Sequence, residues 1–195
     1  YDYPWKKMNL IGVTGTKGKS TTCYYIKYII DEYLNDEGKP VSGIISSIDT
    51  YDGVINEESH ITTPESLDLQ QHFNNAQSSN ITHMITEVSS QALKYGRLYD
   101  VCFDVGVFLN ISEDHISPIE HADLEDYFSS KLKLFKQCKI ACINLESDYT
   151  SRILEAGCNS EKVITFGTSE NADIYGYNIR KDGNNIAFGV RTDKF

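Results

Sequence analysis

The sequence is poor in basic residues, and it has no long apolar run. Lysine and arginine number 18 against 28 aspartates and glutamates, which leaves a net charge of −10. This deficit argues against a general nucleic-acid binder and against attachment to an anionic membrane surface, because both need basic patches. No hydrophobic stretch approaches the roughly 20 residues of a membrane-spanning helix. We therefore expect no nucleic-acid partner and no membrane partner.

Cysteine is sparse, and its spacing indicates neither a metal site nor a disulfide framework. There are five cysteines, an odd number, and no C-x-x-C pair. This usage is typical of reduced thiols, so we expect a cytoplasmic protein. The chain begins at Tyr1 without a signal peptide and enters a predicted strand almost at once, and we interpret it as a piece of a longer protein.

Short apolar segments alternate with amphipathic ones along the chain. Strands are predicted at 8–14, 41–47, 81–88, 103–110, 139–144 and 163–166. Helices are predicted at 20–34, at 63–78 with Thr63 as N-cap, at 124–137 and at 148–156. Alternating strands and helices predict βαβ units and a parallel sheet. We expect one α/β domain over residues 1–195, with a mostly parallel sheet flanked by helices and a C-terminal β-hairpin at 174–190.

A glycine-rich loop, Gly-Thr-Lys-Gly-Lys-Ser-Thr at 15–21, stands between the first strand and the first helix. Glycines let the backbone turn so that N–H groups face phosphate oxygens, and the helix N-terminus adds a positive end. Lys19 can reach the outer phosphates, and the Ser20 hydroxyl can hold Mg²⁺. The predicted nucleotide-binding residues are Gly15, Thr16, Lys17, Gly18, Lys19, Ser20 and Thr21.

The loop departs from the general P-loop pattern, because Val13 stands where that pattern has its first glycine. Its shorter form resembles the loop of Mur ligases and folylpolyglutamate synthases. Further motifs follow in the order of the Mur family: TTPE at 62–65, TEVSSQAL at 86–93 followed by Arg97, NISEDH at 110–115, YFSSK at 127–131 and INLESD at 143–148. The set resembles the MurE-type subgroup, the UDP-N-acetylmuramoyl-dipeptide ligases.

The resemblance implies the central ATP-binding domain of an amide ligase of peptidoglycan precursor synthesis. Such an enzyme activates a UDP-MurNAc-peptide carboxylate as an acyl phosphate and joins it to an amino acid. The UDP-sugar and amino-acid domains would be absent here, so the isolated domain would be inactive. The implied partners are ATP, the UDP-MurNAc-peptide and the amino acid, and we expect a monomer.

The resemblance also implies residue roles. The catalytic residues would be Lys19, Lys131 and His115. Two Mg²⁺ ions would be held by Ser20, Glu87, His115 and Lys131, the last as a carbamate formed with CO₂. The acceptor would contact Thr62, Thr63, Ser89 and Arg97, and Asn144 would lie near the adenine. From the residues alone, Lys131 is an ordinary surface lysine on an amphipathic helix.

Three positions depart from the family pattern. Gln91 replaces a histidine, the loop after Asp114-His115 is longer, and Ser147-Asp148 replaces a pair of aspartates. The first two fall where the acceptor would bind, so ATP use is better determined than the acceptor. A ligase for another acceptor, similar to cyanophycin or polyglutamate synthases, and a noncatalytic nucleotide-binding module are the alternatives. The sequence does not identify the amino acid that is added.

Overall fold

The computed structural model describes residues 2–34, 41–114, 116–117 and 120–193. The predicted site residue His115 lies outside these ranges. Ten strands are described: β1 Asn9–Thr14, β2 Ser42–Ile45, β3 Asp49–Tyr51, β4 Asn56–Glu58, β5 His83–Glu87, β6 Phe103–Phe108, β7 Cys138–Asn144, β8 Lys162–Gly167, β9 Ile174–Asp182 and β10 Asn185–Thr192. Five α-helices accompany them: α1 Lys19–Leu34, α2 Ser66–Ser78, α3 Ser90–Lys94, α4 Leu124–Leu132 and α5 Thr150–Gly157.

The strands form one sheet in the order β10-β9-β8-β7-β6-β1-β5-β2-β3-β4. Its central part, from β8 to β2, is parallel throughout. Antiparallel pairing is confined to β2–β3–β4 at one edge and to the β9–β10 hairpin at the other. The predicted α/β class with a mostly parallel sheet is therefore confirmed. The predicted C-terminal hairpin belongs to the same sheet, because β9 pairs with β8.

Apolar side chains cover both faces of the central strands, as a parallel sheet requires. On one face, Cys23 of α1 is buried in a cluster with Val13 and Ile44. On the other face, Phe73 of α2 and Phe128 of α4 lie in a larger core cluster. No helix within the described residues is long and apolar enough to cross a bilayer.

Two helix boundaries differ from the prediction by three residues or more. The predicted helix at 124–137 ends as an α-helix at Leu132 and continues as a 3₁₀ turn over Lys133–Gln137. This turn places the adjacent Leu134 and Phe135 in the core before β7 begins. Thr63 is not the N-cap of α2, which begins at Ser66. The buried Thr63 hydroxyl instead donates to the Glu87 carbonyl at 2.8 Å, so it fixes the end of β5.

Candidate active site

Four neighbouring parallel strands, β6, β1, β5 and β2, have their carboxyl ends on the same side of the sheet. Val13 of β1 lies opposite Glu87 of β5 and opposite Val107 of β6, and β2 pairs with β5 on its outer side. Segments that follow these strands are therefore brought together, which is where open α/β sheets bind ligands. The glycine-rich loop follows β1, and Asn110 follows β6.

Two glycines of the loop are required by its backbone. Gly18 has a φ of +84°, a conformation that side chains with a Cβ rarely adopt. A Cβ on Gly15 would lie 2.9 Å from the Cβ of Leu109, so the loop could not pack against the end of β6. The N–H groups of the first turn of α1 follow directly and have no acceptor inside the helix. The loop thus has the form of an anion-binding site.

Asn110 holds the loop in this shape from the neighbouring strand. Its Oδ1 accepts from the N–H groups of Thr16 at 3.0 Å and Lys17 at 2.9 Å, and its Nδ2 donates to the Lys17 carbonyl at 3.1 Å. The buried Thr16 hydroxyl accepts from the Tyr127 hydroxyl at 3.3 Å and from the Ser112 N–H at 3.0 Å. The loop is therefore formed before any ligand arrives.

We expect Asn110→Ala to loosen the phosphate loop without breaking the core. The lost side-chain hydrogen bonds should lower the free energy of unfolding by about 1–2 kcal/mol, since water can replace part of them. Nucleotide affinity should fall roughly tenfold, because the loop must then be ordered on binding. Denaturant unfolding and calorimetry with Mg-ATP measure both effects. Asn159→Ala, at an exposed position after α5, is the matched control, and equal effects in both variants would contradict the prediction.

Two lysines converge on a single backbone carbonyl of the loop. Lys19 Nζ donates to the Gly15 carbonyl at 3.1 Å and to the Thr16 carbonyl at 3.3 Å. Lys131 Nζ reaches the same Gly15 carbonyl at 2.9 Å from α4. The two amino groups are thus held at the mouth of the loop, where phosphate oxygens would meet them.

The side chain of Lys131 is buried, with only 1% of the residue exposed. Burial, together with the nearby positive charge of Lys19, lowers its pKa to about 7 from an ordinary value of 10.5. Its Nζ lies over the Tyr127 ring, 4.5 Å from the centroid. Burial also lowers the pKa of Lys19. Lys131 therefore holds a much larger fraction of neutral amine than a surface lysine does.

Glu87 supplies a buried carboxylate beside the loop. Its Oε1 accepts from the N–H of Ser47 at 3.1 Å and from the Ser47 hydroxyl at 3.3 Å. The Ser47 hydroxyl in turn lies 3.0 Å from the hydroxyl of Ser20. The structure therefore connects two of the four predicted metal ligands, Glu87 and Ser20, through a serine that follows β2.

A cavity of about 200 Å³ opens next to Lys19 and Lys131. It is lined by Lys19, Ile61, Thr62, Ser89, Ser90, Gln91, Arg97, Glu120 and Lys131. Three predicted acceptor residues are in this lining, and the fourth, Thr63, lies behind it and holds the Ser89 N–H at 3.0 Å. Arg97 pairs with Glu65 at 2.7 Å, and its Nε is buried without a partner among the described residues.

Other predicted nucleotide-binding residues point elsewhere. Lys17 is exposed and pairs with Asp114 at 2.8 Å, and Thr21 is exposed on α1. The Nδ2 of Asn144 donates to the Leu109 carbonyl at 2.9 Å, which ties the end of β7 to β6. In this structure these side chains do not join the two lysines and the carboxylate.

No role is predicted from the sequence for Ser47, Asn110 or Tyr127. Ser47 and Asn110 could have been found by the argument used for Glu87, because each follows a buried parallel strand. Tyr127 carries no such signal. Its hydroxyl bonds Thr16 and its ring lies under Lys131, and only the packing of α4 against the loop reveals this.

Comparison with known proteins agrees with this geometry. Residues 13–194 match the family described as the Mur ligase middle domain. The chain is 44% identical over 176 residues to UDP-N-acetylmuramoyl-L-alanyl-D-glutamate–L-lysine ligase of Enterococcus faecalis, covering 89% of this chain and 34% of that protein. It is 37% identical over 190 residues to UDP-N-acetylmuramoyl-L-alanyl-D-glutamate–2,6-diaminopimelate ligase 1 of Clostridium acetobutylicum, covering 97% of this chain and 38% of the relative.

Solved structures of Mur ligases have the same fold as this chain. A UDP-N-acetylmuramoyl-L-alanyl-D-glutamate–2,6-diaminopimelate ligase superimposes with a TM-score of 0.79 at 25% identity, over 96% of this chain and 38% of that one. The folylpolyglutamate synthase of Mycobacterium tuberculosis shares the fold, with a TM-score of 0.70 at 11% identity over 97% of this chain and 48% of that one. The chain spans little more than a third of the length of the first relatives it matches. By sequence and by fold, the chain belongs to the Mur ligase middle-domain family.

Proposed function

We propose that this chain is the ATP-binding domain of a ligase that joins a UDP-MurNAc-peptide carboxylate to an amino acid. The observation that carries the proposal is the convergence of Lys19 and Lys131 beside a cavity lined by three of the four predicted acceptor residues. The Glu87 carboxylate is near enough for its charge to act on the pKa of Lys19. The names of the relatives support the acceptor, a UDP-N-acetylmuramoyl dipeptide. The test described below distinguishes this acceptor from the alternative acceptors that the sequence leaves open.

The first half of the reaction transfers phosphate between two anions. A carboxylate oxygen of the acceptor attacks the γ-phosphorus of ATP, the bond to the bridging oxygen breaks, and ADP leaves. Lys19 would lie against the transferring phosphoryl group, and the N–H groups that begin α1 would hold the other phosphate oxygens. Asn110 fixes the loop in advance, so little order has to be created when ATP binds.

The residues present fit a magnesium ion. The Glu87 carboxylate and the Ser20 hydroxyl are hard oxygen donors, and Mg²⁺ in such sites takes one or two carboxylates together with substrate phosphates and water. When bound there, the ion would neutralise charge on the phosphates. Ser47 orients the Glu87 carboxylate through its N–H and its hydroxyl.

Lys131 fits the proposed carbamate. A neutral amine adds to CO₂ to give an N-carboxylate and one proton, and only the neutral form reacts. With a pKa of about 7, roughly half of the Lys131 amine is neutral at that pH, against less than a thousandth for an ordinary lysine. The anionic carbamate would lie beside Lys19. The positive charge of Lys19 disfavours an ammonium on Lys131, and it would attract a carbamate there.

The second half forms the amide bond. The amine nitrogen of the amino acid attacks the acyl carbon, and phosphate leaves with the electron pair of the carbon–oxygen bond. The excess protons of the amine pass to solvent. Thr62, Ser89 and Arg97 line the cavity in which the acceptor carboxylate would reach the γ-phosphate.

The test is phosphate release from ATP by the full-length protein of which this chain is a domain. UDP-MurNAc-L-Ala-D-Glu is supplied with a panel of amino acids that includes L-lysine and 2,6-diaminopimelate, the substrates named in two relatives. We expect release that requires the acceptor and one amino acid. Release with another carboxylate acceptor would move the assignment to a different Mur-like ligase. ATP binding without release on any acceptor would support a noncatalytic nucleotide-binding module.

A further inference from the structure

A row of three polar side chains begins in the lining of the cavity, and the proposed reaction gives it no role. Ser90 lines the cavity together with Lys19 and Lys131. Its hydroxyl lies 2.9 Å from Nε2 of His121, a histidine that is fully buried. Nδ1 of the same ring lies 3.3 Å from Oδ2 of Asp126. A serine, a histidine and an aspartate are therefore placed in sequence, with the serine at the cavity.

The aspartate determines which ring nitrogen of His121 carries the proton. Asp126 remains ionised, because hydrogen bonds from the Lys94 ammonium at 2.6 Å and the Ala122 N–H at 3.1 Å lower its pKa to about 2. A lone pair on Nδ1 would face this carboxylate, so we assign the ring proton to Nδ1. The lone pair of Nε2 then accepts from the Ser90 hydroxyl. The hydroxyl is thus hydrogen-bonded to a base.

The surroundings of His121 keep the ring neutral and ready to take up a proton. Burial lowers its pKa, and among the charges that face it Lys94 of α3 and Lys131 of α4 oppose an imidazolium, whereas Asp126 of α4 favours one. The ring also packs edge-on against Tyr127, with 5.2 Å between the centroids. Nδ1 is buried and makes no well-aligned hydrogen bond within the described residues. A cationic ring would attract the Asp126 carboxylate and give Nδ1 that bond.

The second half of the proposed reaction has to remove protons from the amino acid. The amino group is an ammonium at neutral pH, and only the neutral amine attacks the acyl carbon. The cavity lining includes three cationic side chains, those of Lys19, Arg97 and Lys131, and nearby positive charge favours loss of the ammonium proton. None of the three accepts a proton while it is charged. Ser90 connects this lining to a neutral base, His121.

We propose that Ser90 and His121 form a proton relay for the incoming amino acid. An ammonium proton passes to Ser90 Oγ while the Ser90 hydroxyl proton passes to His121 Nε2, and the freed lone pair of the amine attacks the acyl carbon. Asp126 stabilises the imidazolium. When phosphate leaves, the same proton returns through Ser90 to a phosphate oxygen, which restores the neutral ring. The second amine proton passes to solvent.

The relay rests on the proposed ligase function, and its members act at different distances from the substrate. Ser90 is a catalytic residue, because its hydroxyl meets the amine. His121 and Asp126 act through Ser90 and are positioning residues. General acid–base groups contribute roughly 10²- to 10⁴-fold to a rate, so the loss of the relay should be readily measured.

The test is the pH dependence of amide formation by the full-length protein. In His121→Gln, the side-chain amide can still accept from the Ser90 hydroxyl but cannot take up a proton. At pH 7, kcat/KM for the amino acid should fall roughly 10²-fold, and it should then rise about tenfold per pH unit toward the pKa of the amine, which now has to lose its proton in solution. The wild-type value should level off above the pKa of His121. The KM for ATP should stay within about twofold.

Hydroxylamine separates the relay from the first half of the reaction. It is neutral at the assay pH, so it should trap the acyl phosphate as a hydroxamate at equal rates in the wild type and in His121→Gln. Ser90→Ala should reproduce the loss and the pH profile of His121→Gln, and Ser90→Thr, which keeps a hydroxyl, should recover part of the rate. His83→Gln is the matched control, because His83 lies at the amino end of β5, away from the cavity.

A purely structural role predicts a different result. An equal rate loss at every pH in His121→Gln, with the wild-type profile retained, would overturn the proposal. Unchanged kinetics with the amino acid, or a parallel loss of hydroxamate, would overturn it as well. If the wild-type protein forms no hydroxamate from the acceptor and ATP, the ligase function itself fails, and the relay fails with it.

Discussion

Lys19→Ala should reduce acceptor-dependent phosphate release by the full-length protein on the order of 10³-fold, the size of effect seen when a group that stabilises transition-state charge is removed. The Lys19 amino group is held at the loop mouth by the carbonyls of Gly15 and Thr16. Lys17, the other lysine of the loop, pairs with Asp114 instead. Removal of Lys19 loses its two hydrogen bonds but also relieves the burial that lowers its pKa, so the free energy of unfolding should change by less than about 1 kcal/mol. Initial rates at saturating ATP, with unfolding measured in parallel, separate the two effects.

The matched control is Lys162→Ala. Lys162 is exposed at the amino end of β8, at the opposite end of the strands from the site. Its removal changes the net charge by the same amount and should leave the rate within about twofold. A rate loss in Lys19→Ala below tenfold would contradict the assignment of the loop as the γ-phosphate site.

Lys131→Ala should lower the same rate by at least about 10²-fold, because the variant can neither form the carbamate nor fill its place. Short carboxylic acids such as formate or acetate should restore part of the rate, since a free carboxylate can enter the space left by the side chain. Lys133→Ala, two positions along and exposed, should behave as the wild type. A Lys131→Ala variant that keeps full activity in CO₂-free buffer would refute the role of the carbamate.

The low pKa of Lys131 also predicts how stability depends on pH. The folded-state pKa of about 7 lies below the ordinary value of 10.5, so between these values the unfolded chain binds the extra proton. The wild-type protein should therefore gain stability as pH rises, by about 2 kcal/mol between pH 7 and pH 9 from this residue. Lys131→Met, measured by denaturant unfolding without CO₂, should lack this gain. An equal slope in both proteins would place the charge change on another group.

Local sequence patterns predict the fold class, but they do not predict which strands pair at the edges of the sheet. Alternating apolar and amphipathic segments predict parallel strands covered on both faces, and the central strands have this arrangement. The predicted hairpin was located from its turn, but its pairing with β8 depends on which edge strand is free to accept it. The misplaced cap at Thr63 has a similar cause. A hydroxyl next to Pro64 has the local signature of a helix start, yet its partner is a carbonyl 24 residues away.

The parts of the candidate site that could be predicted are those whose residues lie close together in the sequence. The glycine-rich loop and the carboxylate that ends a strand have local signatures, whereas the contact of Asn110 with Thr16 spans 94 residues. The burial of Lys131 is a further case. In the sequence, Lys131 and Lys133 are two lysines of the same predicted helix, and nothing local distinguishes them. Packing against the loop buries Lys131, which is 1% exposed, whereas Lys133 lies on the surface.

The contacts that shape the phosphate loop have a consequence for the newly made chain. Lys131 and Asn110 hold a loop that is synthesised long before them, and the Lys131 contact spans 116 residues. At about 5–20 residues per second, a ribosome needs roughly 6 to 23 seconds to make that stretch. During this interval the loop lacks the partners that fix it, so nucleotide cannot assist the early steps of folding. Mg-ATP should therefore protect completed chains from proteolysis and leave nascent chains that end before Asn110 as sensitive as without it.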